Sequence, residues 1–168
     1  MHTTHPAFCV GLSVVALIIG SGCPSDPPPG PCAGGGDVVV TALTRDGTRE
    51  LVGGDGLEIF PPPQGGVFSE IDLVLEGVSA DAIDSLGLTV EVADTNEVLA
   101  NVRYFGELLP FECNEDDQLT INDLPVGYDE SVVLTDADGV VVVLTTTVET
   151  RGESFSASYD LVLAVTNF

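Results

Sequence analysis

The 168-residue chain contains no lysine and no tryptophan, and its one methionine is Met1. Its four basic side chains are all arginine (Arg45, Arg49, Arg103 and Arg151), set against 27 Asp and Glu for a formal net charge of −23. Such a shortage of cations excludes DNA and RNA binding, which needs clustered Lys and Arg for the phosphates. It equally excludes electrostatic attachment to anionic lipid. Both histidines, His2 and His5, sit at the extreme N-terminus. The rest of the chain therefore cannot build a Ser–His–Asp triad, a Cys–His pair or a lysine Schiff base, nor a His-containing zinc, copper or iron site. No G-x-x-x-x-G-K-[ST] or G-x-G-x-x-G occurs, so nucleotide cradles find no support, and Gly53-Gly54 and Gly65-Gly66 read as loop residues. Yet 44% of the residues are hydrophobic, which separates this chain from disordered acidic tails. Its length suits a single folded domain.

The N-terminus carries a different signal. Residues 7–19 read AFCVGLSVVALII, followed by Gly20, Ser21, Gly22 and Cys23. The run is too short for a membrane-spanning helix, which needs roughly 20 apolar residues. A short apolar core ending in small residues reads as a secretory signal. Ser21, Gly22 and Cys23 after that core resemble the lipobox of bacterial lipoproteins. The resemblance covers residues 1–23 and implies that Cys23 becomes the first residue of the mature chain and is acylated. Several acyl chains, at ~0.8 kcal/mol per buried CH₂, would hold the protein firmly in a membrane. Pro24, where some lipoproteins retained at the inner membrane have Asp, points to the outer membrane. Gly20 and Gly22 also suit an ordinary signal peptidase, which would leave a soluble secreted chain.

Cysteine parity follows from that reading. Of Cys9, Cys23, Cys32 and Cys113, the first leaves with the signal, and an odd number remains. Acylation of Cys23 would leave Cys32 and Cys113 as one pair, free to join in an oxidising compartment. Closing so long a loop contributes roughly 4–5 kcal/mol in the chain-entropy model. The alternative is two unpaired thiols. A zinc site is excluded by the missing ligands.

Three segments follow: a signal peptide (1–22), a lipid-anchored tether (23–36) and a β domain (37–168). Within the tether, PSDPPPGPCAGGG (24–36) supports neither helix nor strand. Its proline part is a semi-rigid spacer and its glycine part is flexible. A Cys32 bridge would limit the free spacer to residues 24–31. From Asp37 onward the hydrophobic period becomes two. DVVVTALT (37–44), SEIDLVLEG (69–77), LGLTVEVAD (86–94), VLANVRYF (98–105), QLTIND (118–123), SVVLT (131–135), VVVVLTTTVET (140–150) and SFSASYDLVLAVTN (154–167) read as strands. Alternation directs Ile71, Leu73 and Leu75 inward, and Glu70, Asp72 and Glu76 outward. Asp136-Ala137-Asp138-Gly139 reads as a tight hairpin turn. A turn near Ala80–Ser85 is the only helical candidate. The expected fold is all-β: an immunoglobulin-like antiparallel β-sandwich of about seven or eight strands.

Acidic side chains on outward strand positions and turns supply solubility and blunt strand edges. Calcium takes six to eight oxygen ligands. Two places have candidates for it: Glu112, Glu115, Asp116 and Asp117 beside Cys113, and the pair Asp136 and Asp138. Neither matches an EF-hand loop. A solvated loop and a hairpin turn are the readings preferred for them. Pro61, Pro62 and Pro63 between Phe60 and Phe68 read as a rigid crossover between sheets with its rings in the core. Tyr104, Phe105 and Phe111 are likewise assigned to the core. The expectation is a lipid-anchored, exported cell-envelope sandwich with a non-catalytic binding or structural role and no cofactor. Its envelope protein or polymer partner is not named by the residues. The alternatives are a calcium-dependent adhesion or assembly module and a small hydrolase using two carboxylates.

Overall fold

The computed structural model describes residue 32, residues 34–61 and residues 65–166. Among the described residues the strands are β1 (Val39–Leu43), β2 (Gly56–Ile59), β3 (Phe68–Glu76), β4 (Ile83–Val92), β5 (Val98–Phe105), β6 (Glu112–Cys113), β7 (Leu119–Gly127), β8 (Val141–Thr150) and β9 (Glu153–Val165), with one short α-helix, α1 (Leu134–Ala137), and two 3₁₀ turns, Ala80–Ala82 and Gly106–Leu108. They form a four-stranded sheet, β1-β3-β7-β6, and a five-stranded sheet, β2-β9-β8-β4-β5. In immunoglobulin terms the first is the A-B-E-D sheet, and β9-β8-β4-β5 is the G-F-C sheet extended by C′. The fold is the expected immunoglobulin-like sandwich.

Alternation builds the core. Ile71, Leu73 and Leu75 of β3 meet Leu86, Leu88 and Val90 of β4, Leu144 of β8 and Leu161 of β9 in one buried cluster. The β-branched run Val141–Thr150 alternates exposed or half-buried with buried positions along most of its length, as a one-faced strand must. Tyr159 closes one edge: the Ala42 N–H of β1 donates to its phenolic oxygen at 3.0 Å, tying the two sheets together.

Four expectations are corrected. β2 pairs with β9 in parallel, so the sandwich is not wholly antiparallel. β2 and the two-residue β6 are too short to leave a periodic signal. Residues 131–139 are not a hairpin arm. The Ala137 N–H bonds back to the Val133 carbonyl, the Gly139 N–H reaches the Leu163 carbonyl, and the segment packs beside β9 instead of pairing with β8. Asp72 is buried, because β7 bulges opposite it between the Ile71 and Leu73 pairs.

The crossover reading of 60–68 is met in its topology at the described ends, but Phe68, expected in the core, is only half-buried and lies outside the core cluster. β2 and β3 lie in different sheets. Buried Phe60 exchanges two backbone hydrogen bonds with Phe68, of 2.9 and 3.1 Å. Pro62 and Pro63 lie outside the described residues.

Candidate functional site

Cys32 and Cys113 are joined, with Cα atoms 5.9 Å apart. Cys113 closes the short β6, and the bond brings the N-terminal segment onto the edge of the four-stranded sheet. The Cys32 N–H donates to Asp117 Oδ1. Asn114 shapes the turn between β6 and β7: its side-chain oxygen accepts from the Asp116 and Gln118 N–H groups at 3.1 and 2.9 Å. Gly34–Gly36, expected as flexible chain, lie against the loop after β3, and the Gly35 N–H donates to the Gly77 carbonyl at 3.2 Å. Gly77 is required here, since a Cβ would stand 2.2 Å from the Asp37 carbonyl oxygen. Cys23 lies outside the described residues.

Two of the candidate cation ligands, Asp117 and Asp138, have structural duties. Asp117 is bound to the Cys32 backbone. Among the described residues, the cluster of potential donors within 4.8 Å is Cys32, Cys113 and Asp117, and two of these are disulfide sulfurs without thiolate character. Asp138 accepts from the Val165 N–H at 3.0 Å, while Asp136 lies in α1. One member of each acidic group, Asp117 and Asp138, thus joins backbone segments.

Sequence reasoning missed a cleft of about 640 Å³ where the chain crosses from β1 to β2, lined by Arg45, Arg49, Glu58 and Glu70 among others. Arg45 bridges Glu58 at 2.7 Å and Glu70 at 3.3 Å, and its guanidinium lies 5.3 Å from the centre of the Phe60 ring. Arg49 holds Asp55 through two contacts of 2.6 and 2.8 Å and, with the Val52 N–H, keeps its carboxyl down at about 2. Hydrogen bonds from Thr44 and Thr48 likewise hold Asp46 below the ordinary carboxylate range. An acid catalyst of the carboxylate-pair type needs the opposite shift. The cleft is an ion-pair network in which Arg45 and Arg49 face Asp46, Asp55, Glu58 and Glu70, and only the concentration of two of the chain's four arginines in residues 45–49 hinted at it.

The residues thus define an immunoglobulin-like β-sandwich whose N-terminal segment is clamped to one sheet edge by a disulfide. No family model matches the chain, and no curated protein matches it. Among solved structures it is similar to the CooA pilin subunit from enterotoxigenic Escherichia coli. That likeness has 13% identity and a TM-score of 0.36, covering 76% of this chain and 99% of that one.

Proposed function

We propose that the protein is an exported cell-envelope β-sandwich, held at a membrane by lipid on Cys23 and serving a non-catalytic binding or structural role. The observation that carries this reading is the Cys32–Cys113 bond. It leaves Cys9, within the apolar leader, and Cys23, at its end, as the remaining cysteines of the chain. Lipid is the attachment that suits a net charge of −23, since an anionic membrane repels such a surface. Residues 24–31 then form the spacer.

The intact mass of the detergent-extracted protein tests this. The expected result is a chain beginning at Cys23, heavier by several acyl groups and gaining two hydrogens on reduction. Cys23→Ala should move the protein from the membrane fraction to the soluble one. An unmodified mass, or a Cys23→Ala variant that stays in the membrane, would overturn the anchor.

A further inference from the structure

One end of the sandwich holds an apolar hollow between the β4–β5 hairpin and residues 131–140. Val92, Leu99, Val132, Val133 and Val140 line it. Both walls are pinned: the Asp129 N–H donates to the Leu99 carbonyl at 2.8 Å, and the Ala93 N–H to the Val141 carbonyl at 3.0 Å. Val133 is 55% exposed, and Val98 and Val141, the chain neighbours of Leu99 and Val140, are 48% and 49% exposed. Phe105, expected in the core, is also exposed, but at the other end of β5. The hollow measures about 180 Å³, below the roughly 300–1,000 Å³ of small-molecule sites. It has the scale of a socket for one side chain, such as an anchor residue fills at a protein interface.

Charge says what carries that side chain. Glu97 and Asp136 line the hollow beside the valines. The segments that build it, 91–100 and 129–141, also hold Glu91, Asp94, Asp129, Glu130 and Asp138, and no Arg. The ion pairs among the described residues engage other carboxylates: Asp55, Glu58, Glu70 and Glu149. The hollow also lies far from the disulfide clamp. β8 begins beside it at Val141 and ends at Thr150, which neighbours Gly34–Gly36. Ten residues of strand at ~3.3 Å each separate the two ends by ~30 Å.

We propose that this hollow docks a basic protein segment, which seats one aliphatic side chain among the valines while flanking Lys or Arg meet the surrounding carboxylates. This rests on the binding role proposed above and names the partner's chemistry. An acidic segment is repelled, and so is a second copy carrying the same −23. A neutral segment leaves Glu97 and Asp136 without a counter-charge. A basic one is drawn in by the carboxylates and held by the apolar contact, the division of labour between rim and centre that interfaces use. A domain tethered through its clamped N-terminal segment presents this end away from the tether, where a partner can reach it.

The test is fluorescence anisotropy of the full protein, in dilute non-ionic detergent, with labelled peptides Lys-Lys-Gly-X-Gly-Lys-Lys in which X is Leu, Ile, Met or Gly. Any cationic peptide is attracted to so acidic a protein, so the readout is the preference for an aliphatic X over Gly. At least one aliphatic peptide should bind about fivefold or more tighter than the Gly peptide, as burial of such a side chain requires. Val133→Glu should abolish that preference although it adds a negative charge. Glu97→Gln combined with Asp136→Asn should weaken every peptide about threefold and flatten the salt dependence while keeping the preference. Phe105→Ala, at an exposed apolar site elsewhere, should change nothing, and all the variants should keep the parent Tm within a few degrees. Equal binding of aliphatic and Gly peptides, or a preference that survives Val133→Glu, would overturn the proposal. So would a dimer in sedimentation velocity that Val133→Glu dissociates, which would assign the hollow to a second copy. The mass measurement reports the anchor and the peptide preference the hollow, so either reading can fail alone.

Discussion

Asp72 stands on a position of β3 that alternation directs to solvent, yet it is 7% exposed. Opposite it β7 inserts an extra residue, and Asp123, at φ 52°, turns its N–H onto Asp72 Oδ1 at 2.7 Å. Burial pushes the Asp72 carboxyl up, against the lowering effect of that hydrogen bond. A folded-state pKa above the unfolded one favours the protonated form in the fold. That contribution is complete below the ordinary carboxylate pKa and is lost as pH rises through the raised value. Asp72→Asn keeps an acceptor for Asp123 and removes the buried charge. Thermal melts should therefore show a higher Tm than the parent at pH 7, with the gain shrinking toward pH 3. An equal or lower Tm at pH 7 would contradict the assignment. No sequence pattern marks this residue, because the bulge that buries it belongs to the partner strand.

Strand lengths explain which elements could be read in advance. β3, β4, β5, β7, β8 and β9 each run eight residues or more, long enough for a period of two to stand out, although the bulge at Asp123 interrupts the period in β7 and the predicted strand ends there. β2 and β6 exist because a neighbour offers an edge, and neither has a pattern of its own. The false hairpin at Asp136–Gly139 has the same cause: its turn chemistry is sound, but Val132–Val133 finds no partner strand. Gly106 makes the steric side testable. It begins a 3₁₀ turn after β5, and a Cβ there would lie 1.9 Å from the Ile83 carbonyl oxygen of β4. Backbone cannot yield as a flexible side chain does, so Gly106→Ala should lose about 1–3 kcal/mol or more in denaturant unfolding. Gly87→Ala, with no such contact, should gain up to ~0.5–1 kcal/mol from strand propensity.

Across the whole molecule, a charge of −23 on 168 residues stores self-repulsion that folding concentrates. The Tm should therefore rise between about 10 and 150 mM NaCl, as the Debye length falls from ~30 to ~8 Å. Calcium should add no more than magnesium at matched ionic strength, since Asp117 and Asp138 already accept backbone N–H groups. A calcium-specific rise of several degrees, abolished by Asp136→Asn, would restore the calcium-dependent module.

The sequence by itself determined the all-β class, the core face of the long strands and the chemistry denied to the chain. Composition and period are local properties that every compatible fold must respect. Its leader and cysteine parity also framed the anchoring proposal. Tertiary structure alone decided the rest. It set β2 parallel to β9, buried Asp72 under a bulge, gathered Arg45 with Glu58 and Glu70, and left Phe105 exposed at the end of β5. Each of these depends on which strands become neighbours, and residues far apart in the chain acquire a shared surface only when the sheets assemble.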